Sequence, residues 1–228
     1  MELIQEALKK GQKVLSEYES KNLLKSYGIP VVREVFVKDV EDAIRAARGI
    51  GYPVVLKVCS PEVAHKTERS LLELNLRDDK ELIESFGRLQ DRSQIKEGGY
   101  LVQEWVKGNR ELVMGMIRDP QFGPCVMFGL GGIFTEIFQD VTFRIAPVKK
   151  RETLEMFKEI KSYKLLGSIR GMKPVNWDVL SSSLIALGMI GLDHEAIQEI
   201  DVNPLIICDG DPVAVDALVV LKATSAKD

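Results

Sequence analysis

The stretch EIDVNPLIICDGDPVAVDAL, residues 199–218, constrains the chain more than any other. Asp209-Gly210 is a two-residue hairpin signal, because both central positions of a type I′ turn take positive φ. With that pair as the loop, Cys208 faces Asp211, and counting back sets Asn203 opposite Asp216. Side chains alternate along a strand, so Glu199, Asp201 and Asn203 share one face while Ile200 and Val202 take the other. An amide oxygen and a carboxylate meeting across two strands, with Asp201 beside them, are hard donors of the kind Mg²⁺ takes. The same pattern also describes a hairpin whose polar face is simply solvated. Pro204 and Pro212 are the residues able to shift the register through a bulge.

A second stretch, YPVVLKVCSPEVAHKTERS at 52–70, joins a β-rich run to a polar segment. Lys57 is the one cation of that run. It reads either as an edge residue that snorkels or as a cation for phosphate. After the Ser60-Pro61 turn signal comes His65, one of only two histidines. Imidazole is largely neutral and nucleophilic near neutral pH, so His65 reads either as a solvated loop residue or as a phosphoryl acceptor. The other histidine, His194, reads as a surface residue after a helix. GLGG at 129–132 follows a strand and lacks the GK[ST] of a Walker A loop. A tight turn is its first reading and a phosphate loop its second. QEWV at 103–106 is either an ordinary strand or a linker whose backbone meets an adenine edge.

In chain order, residues 3–19 carry an interrupted helical face, and Ser20 is placed to cap a short helix through Tyr27, stopped by Gly28. Strands are expected at 31–37, 53–59, 71–76 and 100–106. Asp39 would cap a helix ending at Gly49 and Gly51. A helix opened by Asp78 and Asp79 would bury Leu82, Ile83, Phe86 and Leu89. The first hundred residues thus predict an α+β layer with a largely antiparallel sheet. Strands follow at 111–119 and 125–132, with two more within 134–148. Helices are expected near 150–160 and 178–190, before the closing hairpin. The net charge of −3, with no basic stripe, argues against nucleic acid. The charged N-terminus is unlike a signal peptide. The apolar run 184–192 is shorter than the ~20 residues that span a bilayer. Cys59, Cys125 and Cys208 show no CxxC spacing and read as buried reduced thiols of a cytoplasmic protein.

Four stretches carry a family resemblance: GIPV with its following strand, IGYPVVLKVCSPEVAHKTE, YLVQEWVKGNRELVMGMIRDPQFGPCVMFGLGGIFTEIFQDVTFRIAPV, and EIDVNPL with Asp216. Together they resemble the ATP-grasp fold. More narrowly, they resemble the β subunit of archaeal-type nucleoside-diphosphate-forming acetyl-CoA (acyl-CoA) synthetases. Succinyl-CoA synthetase β subunits carry a similar NPL hairpin.

The resemblance implies one α+β ATP-grasp domain over 1–228. Its subdomains would be 20–106, with Lys57 and His65, and 107–228, with the metal hairpin, and the nucleotide cleft would lie between them. Lys57 resembles the lysine on the nucleotide phosphates. Gln103, Glu104 and Val106 resemble the adenine hinge, Glu111 an acidic residue of the nucleotide pocket, and Arg144 a phosphate contact. Asn203 and Asp216 resemble the Mg²⁺ ligands. His65 resembles the histidine that carries phosphate to ADP.

The implied reaction is acyl-CoA + ADP + phosphate ⇌ acid + ATP + CoA. It would be shared with an α subunit that binds CoA and forms the acyl phosphate, in an α2β2 heterotetramer. The chain departs from the family in HKTERSLL, where Ser70 and Leu71 stand in place of a glycine pair. Leu71 takes positive φ only at a cost, so a loop that is stiffer or differently shaped is expected. The competing readings are another ATP-grasp carboxylate ligase and a non-catalytic nucleotide-binding regulatory subunit.

Overall fold

The structure, a computed structural model, describes residues 2–61, 71–93, 98–108, 110–132, 140–169 and 171–222. Its contacts divide into a smaller unit, residues 16–18 with 32–106, and a larger one, 1–15 with 19–31 and 107–228.

The smaller unit is a four-stranded antiparallel sheet covered by two helices. Its strands are β1 (Glu34–Val37), β2 (Val54–Cys59), β3 (Leu72–Leu76) and β4 (Gly99–Glu104), in the order β1-β4-β2-β3. Each falls within a strand expected from the sequence, β1 and β3 from alternation and β2 from its β-rich run. Helix α3 (Val40–Ile50) starts at Asp39, whose carboxylate accepts the Asp42 N–H, and stops at Gly51 with φ 97°. Helix α4 (Asp79–Ser93) buries Leu82, Phe86 and Leu89 against Val54, Leu56, Val58 and Val102. Ile83, expected on that face, is exposed at 47%. It sits one residue out of phase with the buried 82-86-89 stripe.

The larger unit is a second antiparallel sheet. Its strands are β5 (Glu111–Asp119), β6 (Gly123–Leu130), β7 (Val141–Ile145), β8 (Ile197–Cys208), β9 (Asp211–Ala214) and β10 (Leu218–Leu221). They run in the order β10-β8-β5-β6-β7, with β9 also on β8. Two helices, α5 (Lys150–Glu159) and α6 (Trp177–Asp193), cover one face. Met114, Met116, Val126, Phe128, Ile200 and Val202 meet Phe157, Leu184 and Leu187 there. Of the two strands expected within 134–148, one is β7. The other falls largely on residues outside those described.

The N-terminus corrects the sequence. The helical face expected over 3–19 is broken: α1 (Glu2–Lys9) ends before Gly11, whose φ is 70°. Val14 then bridges Val220, and the Leu15 N–H donates to Val219 O at 3.0 Å. A second helix, α2, spans Glu17–Ser26, so Ser20 lies inside it and is fully buried rather than capping it. Leu23, Leu24 and Ile29 pack into the larger unit's core. Residues 19–31 therefore group with the larger unit, not with 32–106.

Asp140 ties the start of β7 to the residues after α5. Its buried carboxylate accepts from Lys161 N at 2.7 Å and Ser162 N at 2.8 Å, and from the Ser162 hydroxyl at 2.5 Å. Burial pushes its pKa up, but these donors outweigh burial and hold the carboxyl below the usual range. A depressed folded-state pKa gives stability that is complete above the unfolded value of ~3.9. That stability fades as pH falls through the folded-state value. Thermal melts of Asp140→Asn are expected to lie well below wild type at neutral pH. The gap should narrow steadily below about pH 4.

Candidate nucleotide and metal site

In the smaller unit, β2 is flanked on both sides, by β4 and β3. Lys57 is thus no edge residue, and its side chain is only 4% exposed. The snorkelling reading fails because the side chain is buried instead of running out to solvent. The ammonium instead donates to Glu17 Oε1 at 2.8 Å, and that carboxylate is 1% exposed. Gln103 pairs with Val55 across the β2–β4 ladder, two residues from Lys57. Alternation therefore puts Gln103 and Lys57 on one face, opposite the face whose Val54, Leu56 and Val58 meet the helices.

Glu104 ends β4, and its carboxylate accepts the Arg33 N–H at 2.9 Å and the Arg33 Nε–H at 2.7 Å. Val106, half-buried, follows just beyond the strand. His65 and Ser70 lie outside the described residues. Leu71 is described: it is 4% exposed, and its carbonyl accepts the Val58 N–H at 3.0 Å. The residue in the second glycine's place thus extends the sheet toward β3.

In the larger unit the hairpin register holds as counted. Cys208 pairs with Asp211, and Asp209 and Gly210 both have positive φ, at 50° and 99°. Leu205 pairs with Ala214, and further on Asp201 pairs with Leu218 in the same register. Between them the Val215 N–H donates to Pro204 O at 3.1 Å. Asn203 therefore stands opposite Asp216. The irregularity expected near Pro204 falls on the other edge of β8, where the pairing with β5 shifts between Leu112 and Met114.

Asn203 is exposed and Asp216 half-buried. Asp216 Oδ1 accepts the Ala217 N–H at 2.8 Å, which fixes the carboxylate's orientation. An amide oxygen on β8 and an oriented carboxylate on the link from β9 to β10, accessible to water, fit a hard cation that completes its shell with waters and phosphate. Among the described residues no cluster of three or more His, Cys, Asp or Glu side chains forms a metal site.

Glu111 opens β5, and its carbonyl accepts the Gly131 N–H at 2.8 Å. The glycines of GLGG are explained by crowding. A Cβ on Gly131 would lie 2.6 Å from Leu112 O, and one on Gly132 (φ 68°) would lie 2.7 Å from Glu111 Oε2. The tight-turn reading accounts for them, and the turn braces Glu111. Gly131→Ala is expected to cost about 2 kcal/mol, since backbone rather than a flexible side chain must move. Gly87→Ala on α4, where nothing lies within 4 Å, should instead stabilise by ~0.5–1 kcal/mol. Denaturant melts of both variants decide the point.

Arg144, expected near phosphate, is tied to α5 by an ion pair with Glu159, which also accepts the Thr142 hydroxyl at 2.7 Å. The hydrogen bond from Arg144 holds Glu159 below the usual carboxylate range.

His194 corrects its surface reading. It is half-buried at the end of α6, with Nε2 3.1 Å from the Tyr27 hydroxyl, which in turn donates to Asp193. Burial lowers the His194 pKa and pushes Tyr27 up to about 12. Of the cysteines expected to be buried, only Cys59 is; Cys125 and Cys208 are partly exposed, and all three are free thiols. No helix among the described residues is long and apolar enough to cross a membrane. Glu17 is the residue that local patterning missed. It stands four positions before Lys21, a spacing that reads as an ordinary surface pair on a helix.

Two antiparallel α+β units, one with a buried central-strand lysine and the other with an Asn/Asp hairpin, are the architecture of the ATP-grasp class. Consistent with this, the family model of the ATP-grasp domain matches residues 6–221. The β subunit of ADP-forming acetate–CoA ligase I from Pyrococcus furiosus is 41% identical over 225 residues, covering 96% of this chain and 97% of that protein. The dinucleotide-forming acetyl-coenzyme A synthetase 1 of Ca. Korarchaeum cryptofilum, solved with coenzyme A, Ca-AMPCP and HgCl⁺, superposes with a TM-score of 0.93 at 42% identity. That match covers 97% of this chain and 99% of the other. The selenomethionine form of the same synthetase, solved with coenzyme A and Mg-AMPPCP, has its phosphohistidine segment pointing towards the nucleotide site. It aligns with a TM-score of 0.86 at 42% identity, over 97% and 99% of the two chains. The chain belongs to the ATP-grasp family, among the β subunits of the ADP-forming acetate–CoA ligases.

Proposed function

We propose that the chain is the nucleotide-binding β subunit of an ADP-forming acyl-CoA synthetase. It would catalyse acyl-CoA + ADP + phosphate ⇌ acid + ATP + CoA together with an α subunit that binds CoA and forms the acyl phosphate. What carries this reading is the hairpin register, which sets Asn203 opposite Asp216, in a chain similar over nearly its full length to such β subunits.

Each residue has a chemical task. Lys57 meets phosphate oxygens with a buried ammonium. Gln103, Glu104 and Val106 hold the adenine edge, with the Glu104 carboxylate kept by Arg33. Glu111, braced by the glycine turn, borders the nucleotide. Asn203 and Asp216 hold Mg²⁺, which, when bound, neutralises phosphate charge. Arg144 fastens β7 to α5 through Glu159 and reaches phosphate only by exchanging that partner.

His65 carries the phosphoryl group. A nitrogen of its ring forms an N–P bond as the donor's bond to phosphorus breaks. That N–P bond then breaks as a terminal oxygen of ADP takes the phosphorus. Phosphoryl transfer is mostly positioning and charge neutralisation, so this set is chemically sufficient. The assembly is proposed as α2β2, in the cytoplasm. ATP formation by the chain with its partner, from acyl-CoA, ADP and phosphate, tests the reading. In the reverse direction ATP consumption should require CoA. CoA-independent consumption would point to a carboxylate–amine ligase.

A further inference from the structure

We infer that Glu17 is a positioning residue for nucleotide phosphate, acting through Lys57; this rests on the proposed nucleotide-binding role of Lys57. The two side chains are separated by 40 positions and meet in the smaller unit with Nζ 2.8 Å from Oε1. Both are almost fully buried, at 4% and 1% side-chain exposure. Burying a charge is costly unless an opposite charge and hydrogen bonds compensate it. A chain needing only a filled sheet position would place an apolar residue at 57, as it does at 54, 55, 56 and 58. Keeping a lysine there, together with a carboxylate brought from the first residue of α2, points to a cation held for a ligand.

Lysine alone is a flexible four-carbon stem ending in a point charge. The Glu17 carboxylate removes that freedom. It fixes Nζ on the sheet face shared with Gln103. Glu17 need not touch the nucleotide, and its effect should appear only on the parts of a ligand that Lys57 touches.

The test measures Mg-ATP and adenosine binding to the full chain by calorimetry, for wild type, Glu17→Gln, Glu17→Asp, Lys57→Met and the double variant Glu17→Gln/Lys57→Met. Glu17→Gln should weaken Mg-ATP binding ~10-fold or more, as for loss of one partner of a buried charge pair. It should leave adenosine within about twofold. Glu17→Asp should recover part of the loss. The double variant should bind Mg-ATP no more weakly than Lys57→Met alone, because both changes act on one ammonium. The double variant also removes both buried charges, so it folds without an orphaned ion. Equal losses for Mg-ATP and adenosine in Glu17→Gln, or additive losses in the double variant, would overturn the inference and leave Glu17 a structural residue. Wild-type affinity in Glu17→Gln, with Lys57→Met impaired, would overturn it as well. If wild type and Lys57→Met bind Mg-ATP alike, the phosphate role of Lys57 itself fails, and the inference with it.

Discussion

His65→Asn is expected to abolish ATP synthesis by the chain and its partner, with a fall of at least about 10³-fold, because a covalent carrier has no substitute. Asparagine approximates the size and polarity of the imidazole but offers no nucleophilic nitrogen. Mg-ATP affinity should stay within about twofold, since the carrier contributes to the transferred group and not to nucleotide recognition. A coupled ATP assay and calorimetry on the same preparation read both quantities. A variant that keeps its rate would remove His65 from the reaction. A variant that loses affinity and rate together would make it a binding residue.

Asp216→Asn is the second large effect expected. The substituted amide oxygen can still accept the Ala217 N–H that Asp216 Oδ1 accepts at 2.8 Å, so the hairpin should survive. What is lost is the negative charge on a hard donor opposite Asn203. Affinity for Mg-ATP should fall ~10–100-fold, and turnover at fixed Mg²⁺ should fall ~100-fold or more. Raising Mg²⁺ should recover part of that loss. The melting temperature should move little. Nucleotide titrations at several Mg²⁺ concentrations separate this outcome from a folding defect, which added Mg²⁺ would not repair. An unchanged Mg²⁺ dependence would return the hairpin to the solvated reading.

The parts of the fold that were legible in the sequence are those fixed by short-range rules. Asp209-Gly210 sets a turn, the turn sets a register, and the register carries through β9 and β10 to place Asn203 opposite Asp216. Alternation found β1 and β3, a β-rich run found β2, and Asp39 and Gly51 marked both ends of α3. The N-terminal break was not legible. Leu3, Ile4, Ala7 and Leu8 keep helical spacing with Val14 and Leu15, although Gly11 turns the chain and Val14 joins β10. The status of Lys57 depended on strand order. Only pairing with both β3 and β4 makes β2 central, and no local pattern states that. Its partner Glu17 was hidden for the same reason: a contact across 40 positions leaves no periodicity. Family resemblance supplied what spacing could not, including the role given to His65.

The phosphohistidine relay is tested most directly by mapping acid-labile phosphate by mass spectrometry. The full chain would be incubated with Mg-ATP, with and without its α partner, alongside His65→Asn. The account predicts a phosphate on His65 of the wild-type chain and none on the variant. Tight Mg-ATP binding with no phosphate on His65 in either setting would contradict the relay and make the chain a nucleotide-binding subunit without phosphoryl transfer.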